Sequence, residues 1–117
     1  MTTQKVVLYH NPRCSKSREA LALLQEKGVE PEVIEYLKTP LAADGVKALI
    51  GALGVPPHAL LRTKEEPYAR LGLSEASTLD EVARAIAEEP ILMERPVLVV
   101  GSKARIGRPP QGLLALL

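Results

Sequence analysis

The stretch from Val6 to Leu24 limits what this chain can fold into more than any other. Val6-Val7-Leu8 is a short continuous apolar run, as in a strand buried on both faces, while Ala20, Leu23 and Leu24 recur at helical spacing soon after it. Between them, Tyr9-His10-Asn11-Pro12-Arg13-Cys14-Ser15-Lys16-Ser17-Arg18 has to run from strand through turn into helix. The pattern predicts strand Lys5–Tyr9, a helix from about Ser15 to Lys27 ended by Gly28, and strand Glu32–Leu37, whose Val33-Ile34 core is flanked by charge. Such a unit has a parallel strand pair and a right-handed crossover.

The turn holds the only cysteine in the chain. A lone cysteine is ordinarily a small buried hydrophobe, but Cys14 falls at the strand-to-helix junction. There the unpaired N–H groups and positive dipole end of the helix favour a thiolate over a thiol, and Arg13, Lys16 and Arg18 add positive charge. Counting then tests the familiar cysteine chemistries. A Cys-x-x-Cys oxidoreductase needs a second thiol where Ser17 stands, so internal disulfide cycling is excluded; a phosphatase-type loop needs arginine where Ala20 stands. A distant Cys-His pair stays open, although His10 and His58 offer no local signature for one. One Cys and two His show no metal-ligand spacing, so no structural metal, no bound cofactor and a reducing compartment are expected.

Beyond Thr39-Pro40 the pattern turns helical. Val46, Leu49, Ile50 and Leu53 share one helix face up to Gly54 and Pro56-Pro57; His58–Arg62 reads as a short helical turn, and a further helical piece starts at Glu66-Pro67-Tyr68 and stops at Gly72. Thr78-Leu79-Asp80-Glu81 has capping-box spacing, opening a helix with Leu79, Val82, Ala83 and Ile86 as its apolar stripe. Sheet resumes at Val97-Leu98-Val99-Val100, turns at Gly101-Ser102 and returns through Ala104-Arg105-Ile106 as an antiparallel hairpin. A last helix begins near Pro109 and carries Leu113, Leu114, Leu116 and Leu117. The expectation is one α/β domain over residues 1–117, with a mixed sheet built as βαβ then ββα and an all-helical insertion at about 40–90. That order looks like a thioredoxin-like fold.

With 117 residues and 46% of them hydrophobic, the chain can bury a core without staples. A net charge of +1 gives no electrostatic case for nucleic acid or a membrane surface, and the apolar runs are too short to span a bilayer. No signal-peptide pattern opens the chain, so a cytoplasmic location is expected.

Four sequence blocks carry a resemblance to a known family. Tyr9-His10-Asn11-Pro12-Arg13-Cys14 with Ser17-Arg18 is the first. The second is Leu60-Leu61-Arg62 with Glu66-Pro67-Tyr68 and Leu71-Gly72-Leu73, the third Pro90-Ile91-Leu92 with Arg95-Pro96, the fourth Gly107-Arg108-Pro109. In this order they resemble the glutaredoxin-linked ArsC-type arsenate reductases, within the wider ArsC/Spx/YffB group of thioredoxin-like proteins. The resemblance implies Cys14 as nucleophile, Arg62, Arg95 and Arg108 as the arginines that hold the oxyanion, and a cis Arg95-Pro96 bond beside the Cys14 loop. It also implies arsenate as substrate, glutathione as co-substrate and glutaredoxin as the protein that resolves the adduct. The charges make physical sense of this: an oxyanion approaching a thiolate is repelled unless fixed positive charge offsets it, and arginine offers planar bidentate donors.

Other roles are less specific. His10 can support the thiolate or simply fill the strand end; Ser17 would face Cys14 one turn on and could donate to its sulfur; Lys16 and Arg18 could help bind glutathione or a partner; His58 reads as structural. Arg62 would also suit a helix end whose carbonyls it caps. Two alternatives accompany the reductase reading: a glutathione-dependent thiol reductase, which needs Cys14 but not all three arginines, and an Spx-like regulator that binds RNA polymerase. Redox-sensing members of the latter kind typically carry a second cysteine, which this chain lacks.

Overall fold

Val7 and Leu8 offer nothing polar to either face of a sheet, and in the structure, a computed structural model that describes residues 5–117, they lie buried in its interior strand. That strand, β1 (Val6–His10), runs between β2 (Glu32–Glu35) and β3 (Val97–Val100), with β4 (Lys103–Ile106) beyond β3, giving the order β2-β1-β3-β4. β1 pairs parallel with β2 and antiparallel with β3, which pairs antiparallel with β4, so the sheet is mixed as expected. Helix α1 (Ser15–Glu26) joins β1 to β2. Its Ala20 and Leu24 pack with Leu8, Leu98, Val100 and Leu113 in one buried cluster. The chain has no Phe or Trp, so close packing of aliphatic side chains makes this core.

The register of this sheet brings three strand ends level with one another. Tyr9 lies opposite Val97, and Val97 lies opposite Ile106. The end of β1, the start of β3 and the end of β4 therefore form one row. Immediately past that row come the Cys14 loop, Arg95-Pro96 and Gly107-Arg108.

Described residues up to Tyr36, with Arg95–Leu117, form this sheet-containing unit; Leu37–Glu94 form a second compact unit that is helical. In it α2 (Ala43–Leu53) and α4 (Leu79–Glu88) pack together, and α3 (Glu66–Arg70) is a single short turn of helix. Val46, Leu49 and Ile50 of α2 are buried, as are Val82, Ala83, Ala85 and Ile86 of α4. Gly54 ends α2 in the left-handed region at φ 66°, which favours a residue without Cβ. The capping box is present: the Glu81 N–H donates to Thr78 Oγ1 (3.2 Å) and the Thr78 N–H to Glu81 Oε1 (2.8 Å).

Several elements differ from expectation. Val33 is 41% exposed, because β2 is an edge strand. Leu79 is 40% exposed, so the buried stripe of α4 begins at Val82. The turn expected over His58–Arg62 is a 3₁₀ helix at Pro57–Leu60, and the last helix is 3₁₀ over Pro110–Leu116. There Pro110, with no N–H to leave unpaired, takes the first helical position in place of Pro109. Among the described residues no helix is long and apolar enough to cross a membrane.

Thr78→Ala removes one half of the capping box and is expected to lower stability by about 1 kcal/mol. Urea denaturation followed by circular dichroism checks this; an unchanged midpoint and slope would contradict it.

Candidate active site

Cys14 occupies the N-cap position of α1, with extended backbone (φ −93°, ψ 123°). Pro12, whose ring presets a turn, helps bring the chain round from β1: the Cys14 N–H donates to the Asn11 carbonyl at 3.0 Å, closing a four-residue turn. Asn11 Oδ1 accepts from the Arg13 N–H at 3.0 Å, and the Asn11 N–H donates to Ser17 Oγ at 3.3 Å. Asn11 and Ser17 are both buried, so these bonds hold the loop from inside. The thiol itself is free and half-buried.

Ser17 therefore differs from expectation. Its oxygen accepts from the Asn11 backbone rather than donating to Cys14, because the helix turns its side chain inward, fully out of solvent. Its place is in shaping the loop.

Arg108 does reach the sulfur. Its Nε–H donates to the Arg95 carbonyl at 2.9 Å, and its Nη2 lies 3.9 Å from Cys14 Sγ. One guanidinium thus ties the end of β4 to the start of β3 and to the cysteine. Arg95 is half-buried, and its Nε is out of solvent without a hydrogen-bond partner among the described residues. A buried cationic donor left so is costly unless an acceptor arrives. The Arg95-Pro96 bond is cis, as the resemblance implies, and so is Arg108-Pro109.

Pro96 is buried, and the Gly107 N–H donates to its carbonyl at 2.8 Å. A Cβ on Gly107 would sit 2.8 Å from Pro96 Cγ and 2.9 Å from Leu113 Cδ1. Only glycine lets β4 pass this close, and that approach precedes Arg108 directly.

His10 ends β1 and is buried, with Nδ1 unpartnered among the described residues. Burial holds its imidazole below the ordinary 6.5; Glu35 opposes this and Arg18 adds to it. Arg18 Nη1 donates to the Pro12 carbonyl at 3.1 Å, and Lys16 pairs with Glu19 at 3.6 Å, so both basic side chains are engaged locally. His58 Nε2 and Tyr68 Oη are 2.9 Å apart within the helical unit.

Arg62 also belongs to the helical unit. It does not end a helix. Leu61 is extended and bridges antiparallel to Met93, and the Arg62 N–H donates to the Leu92 carbonyl at 2.7 Å. Its Nε–H donates to Glu65 Oε2 (3.2 Å) and its Nη1 to Glu94 Oε1 (3.4 Å).

Sequence reasoning left out Asn11, Gly107, Glu65 and Glu94 as individual contributors. An Asn before Pro is a turn signal and could have singled out Asn11. Nothing local marks Glu94, whose partner Arg62 lies 32 positions away. Among the described residues no cluster of His, Cys, Asp and Glu could hold a metal ion.

The profile described as the ArsC family matches residues 9–116. "Uncharacterized protein YfgD" of Escherichia coli K12 is 49% identical, over 97% of this chain and 98% of its own. A Neisseria meningitidis serogroup B protein named arsenate reductase is 41% identical, over 97% of this chain and 98% of its own. The structure of an arsenate reductase from Vibrio cholerae superposes with a TM-score of 0.93 at 45% identity, covering 99% of this chain and 100% of that one. The mixed α/β fold is thioredoxin-like.

Gly107→Ala is expected to cost about 1–3 kcal/mol by overpacking against Pro96 and Leu113, measurable in urea; a neutral substitution would contradict the close approach. For His10, the unfolded chain binds its proton at the ordinary 6.5 while the folded chain binds it only at lower pH. The unfolded state thus holds more protons in that window, and stability contributed by neutral His10 is lost as pH falls from 6.5 through the depressed value. His10→Asn should flatten this part of a stability–pH profile. A profile with the wild-type slope would refute it.

Proposed function

The chain belongs to the ArsC family, and from that premise we propose that it is an arsenate reductase in which Cys14 is the nucleophile and Arg62, Arg95 and Arg108 hold the oxyanion. The observation that carries this reading is the Arg108 guanidinium, 3.9 Å from the Cys14 sulfur and braced on the Arg95 carbonyl. Relatives that bear the name arsenate reductase, at 41% identity along nearly the whole chain, support the substrate.

The proposed chemistry starts with attack of the Cys14 thiolate on arsenic(V). An S–As bond forms and one oxygen leaves as hydroxide or, with a proton, as water. Arg108 and Arg95 offset the combined negative charge of thiolate and oxyanion, which would otherwise keep them apart. Glutathione thiolate then attacks the Cys14 sulfur: an S–S bond forms, the S–As bond breaks, and its electron pair stays on arsenic, which departs as arsenite. The two electrons come from the two thiols. Since the chain has no second cysteine, the mixed disulfide at Cys14 is resolved from outside, in this reading by glutaredoxin.

A second reading, a glutathione-dependent thiol reductase, is favoured by the pairing of Arg62 with Glu65 and Glu94, since that chemistry does not need all three arginines.

The test is NADPH consumption with arsenate, glutathione, glutaredoxin and glutathione reductase, beside a thioredoxin-coupled control. Cys14→Ser should abolish turnover, and Arg95→Ala or Arg108→Ala should lower it on the order of a hundredfold, as loss of an oxyanion donor does. Near-normal turnover in Cys14→Ser would sink the mechanism. Glutathione turnover on disulfides without arsenate turnover would select the second reading.

A further inference from the structure

We infer that Glu65 and Glu94 are positioning residues for Arg62, fixing the plane of its guanidinium so that the Nη2 side is presented to an oxyanion; this rests on the reading of Arg62 as an oxyanion arginine. The two carboxylates take Nε and Nη1, at 3.2 and 3.4 Å, and neither engages Nη2. All three side chains are largely out of solvent, at 21%, 26% and 24% exposure. The Arg70 pairs with Glu66 and Glu89 in the same unit are more open, with Arg70 itself 49% exposed. Open pairs of that kind hold little in place.

The backbone gives the pairing its rigidity. Arg62 and Glu94 leave adjacent extended segments that are clasped on both sides: the Arg62 N–H donates to Leu92 and the Glu94 N–H to the Leu60 carbonyl at 2.8 Å, around the Leu61–Met93 bridge. Leu60, Leu61, Leu92 and Met93 are buried, so the clasp cannot shift without disturbing the core of the unit. Glu65 comes from the same side as Arg62 through the turn in which the Glu65 N–H donates to the Arg62 carbonyl at 3.3 Å. A flexible arginine must give up considerable rotamer freedom to bind an anion; here two acceptors on a fixed backbone have already removed it. The same two carboxylates place negative charge beside Arg62, so anchoring and charge pull in opposite directions on anion affinity. Glutamine separates them, because it keeps an oxygen acceptor and drops the charge.

The experiment measures KM for arsenate and kcat in the coupled assay for wild type, Glu65→Ala, Glu94→Ala, Glu94→Gln, Arg62→Ala and Arg62→Ala/Glu94→Ala, with the exposed Glu66→Ala as control. Anchoring predicts that each Glu→Ala raises KM about tenfold or more with a smaller change in kcat, as misplaced binding groups do. Glu94→Gln should stay near the wild-type KM, Glu66→Ala should match wild type, and Glu94→Ala should add nothing once Arg62 is gone. Thermal unfolding of the same variants separates this from general destabilisation, which would lower the folded fraction and so the apparent kcat, with KM unchanged, whether Arg62 is present or not. An unchanged or lowered KM in both Glu→Ala variants would overturn the inference, showing carboxylates that are inert or compete with the substrate. If Arg62→Ala alone is silent while wild type reduces arsenate, the inference fails and the reductase reading survives; if wild type does not reduce arsenate, both fail.

Discussion

The alignment of Tyr9 with Val97 and of Val97 with Ile106 is the constraint on which the meeting of loops at one end of the sheet depends. Strand side chains alternate faces, so a slip of one residue would turn Leu8 or Leu98, both fully buried, toward the opposite face. Burial thereby locks the register, and the register decides which loops meet. The Cys14 loop, Arg95-Pro96 and Gly107-Arg108 leave the sheet at the same end because the strands that carry them are held in one row. From there Arg108 needs only its side-chain length to touch both the Arg95 carbonyl and the Cys14 sulfur.

The arginines stand in different electrostatic settings. Arg108 contacts the Arg95 carbonyl and the Cys14 sulfur, and the Nε of Arg95 has no acceptor among the described residues. Arg62 is instead bound by two carboxylates. Loop shape is handled separately, by the bonds of Asn11 with Cys14, Arg13 and Ser17.

Much of this was legible in local pattern. The β1-α1-β2 order, the β3–β4 hairpin and the Thr78–Glu81 cap all appear where periodicity and capping chemistry place them, because each signal lies within a few residues of its effect. The departures are those that depend on neighbours. Val33 looks like core until its strand turns out to be at the edge, Leu79 belongs to an apolar stripe whose first turn is uncovered, and Ser17 points at Asn11 once the helix is set on the sheet.

The sequence by itself determined the position of a single cysteine at a strand-to-helix turn, the order of elements around it and the family to which those blocks point, since these rest on residue type and spacing along the chain. Tertiary structure alone decided that Arg108 rather than Ser17 touches the Cys14 sulfur, that Gly107 must lack a Cβ beside Pro96, and that Arg62 meets Glu94. Arg108 and Cys14 are 94 positions apart. Contacts across such separations follow from strand register and buried packing, which no local window of sequence contains.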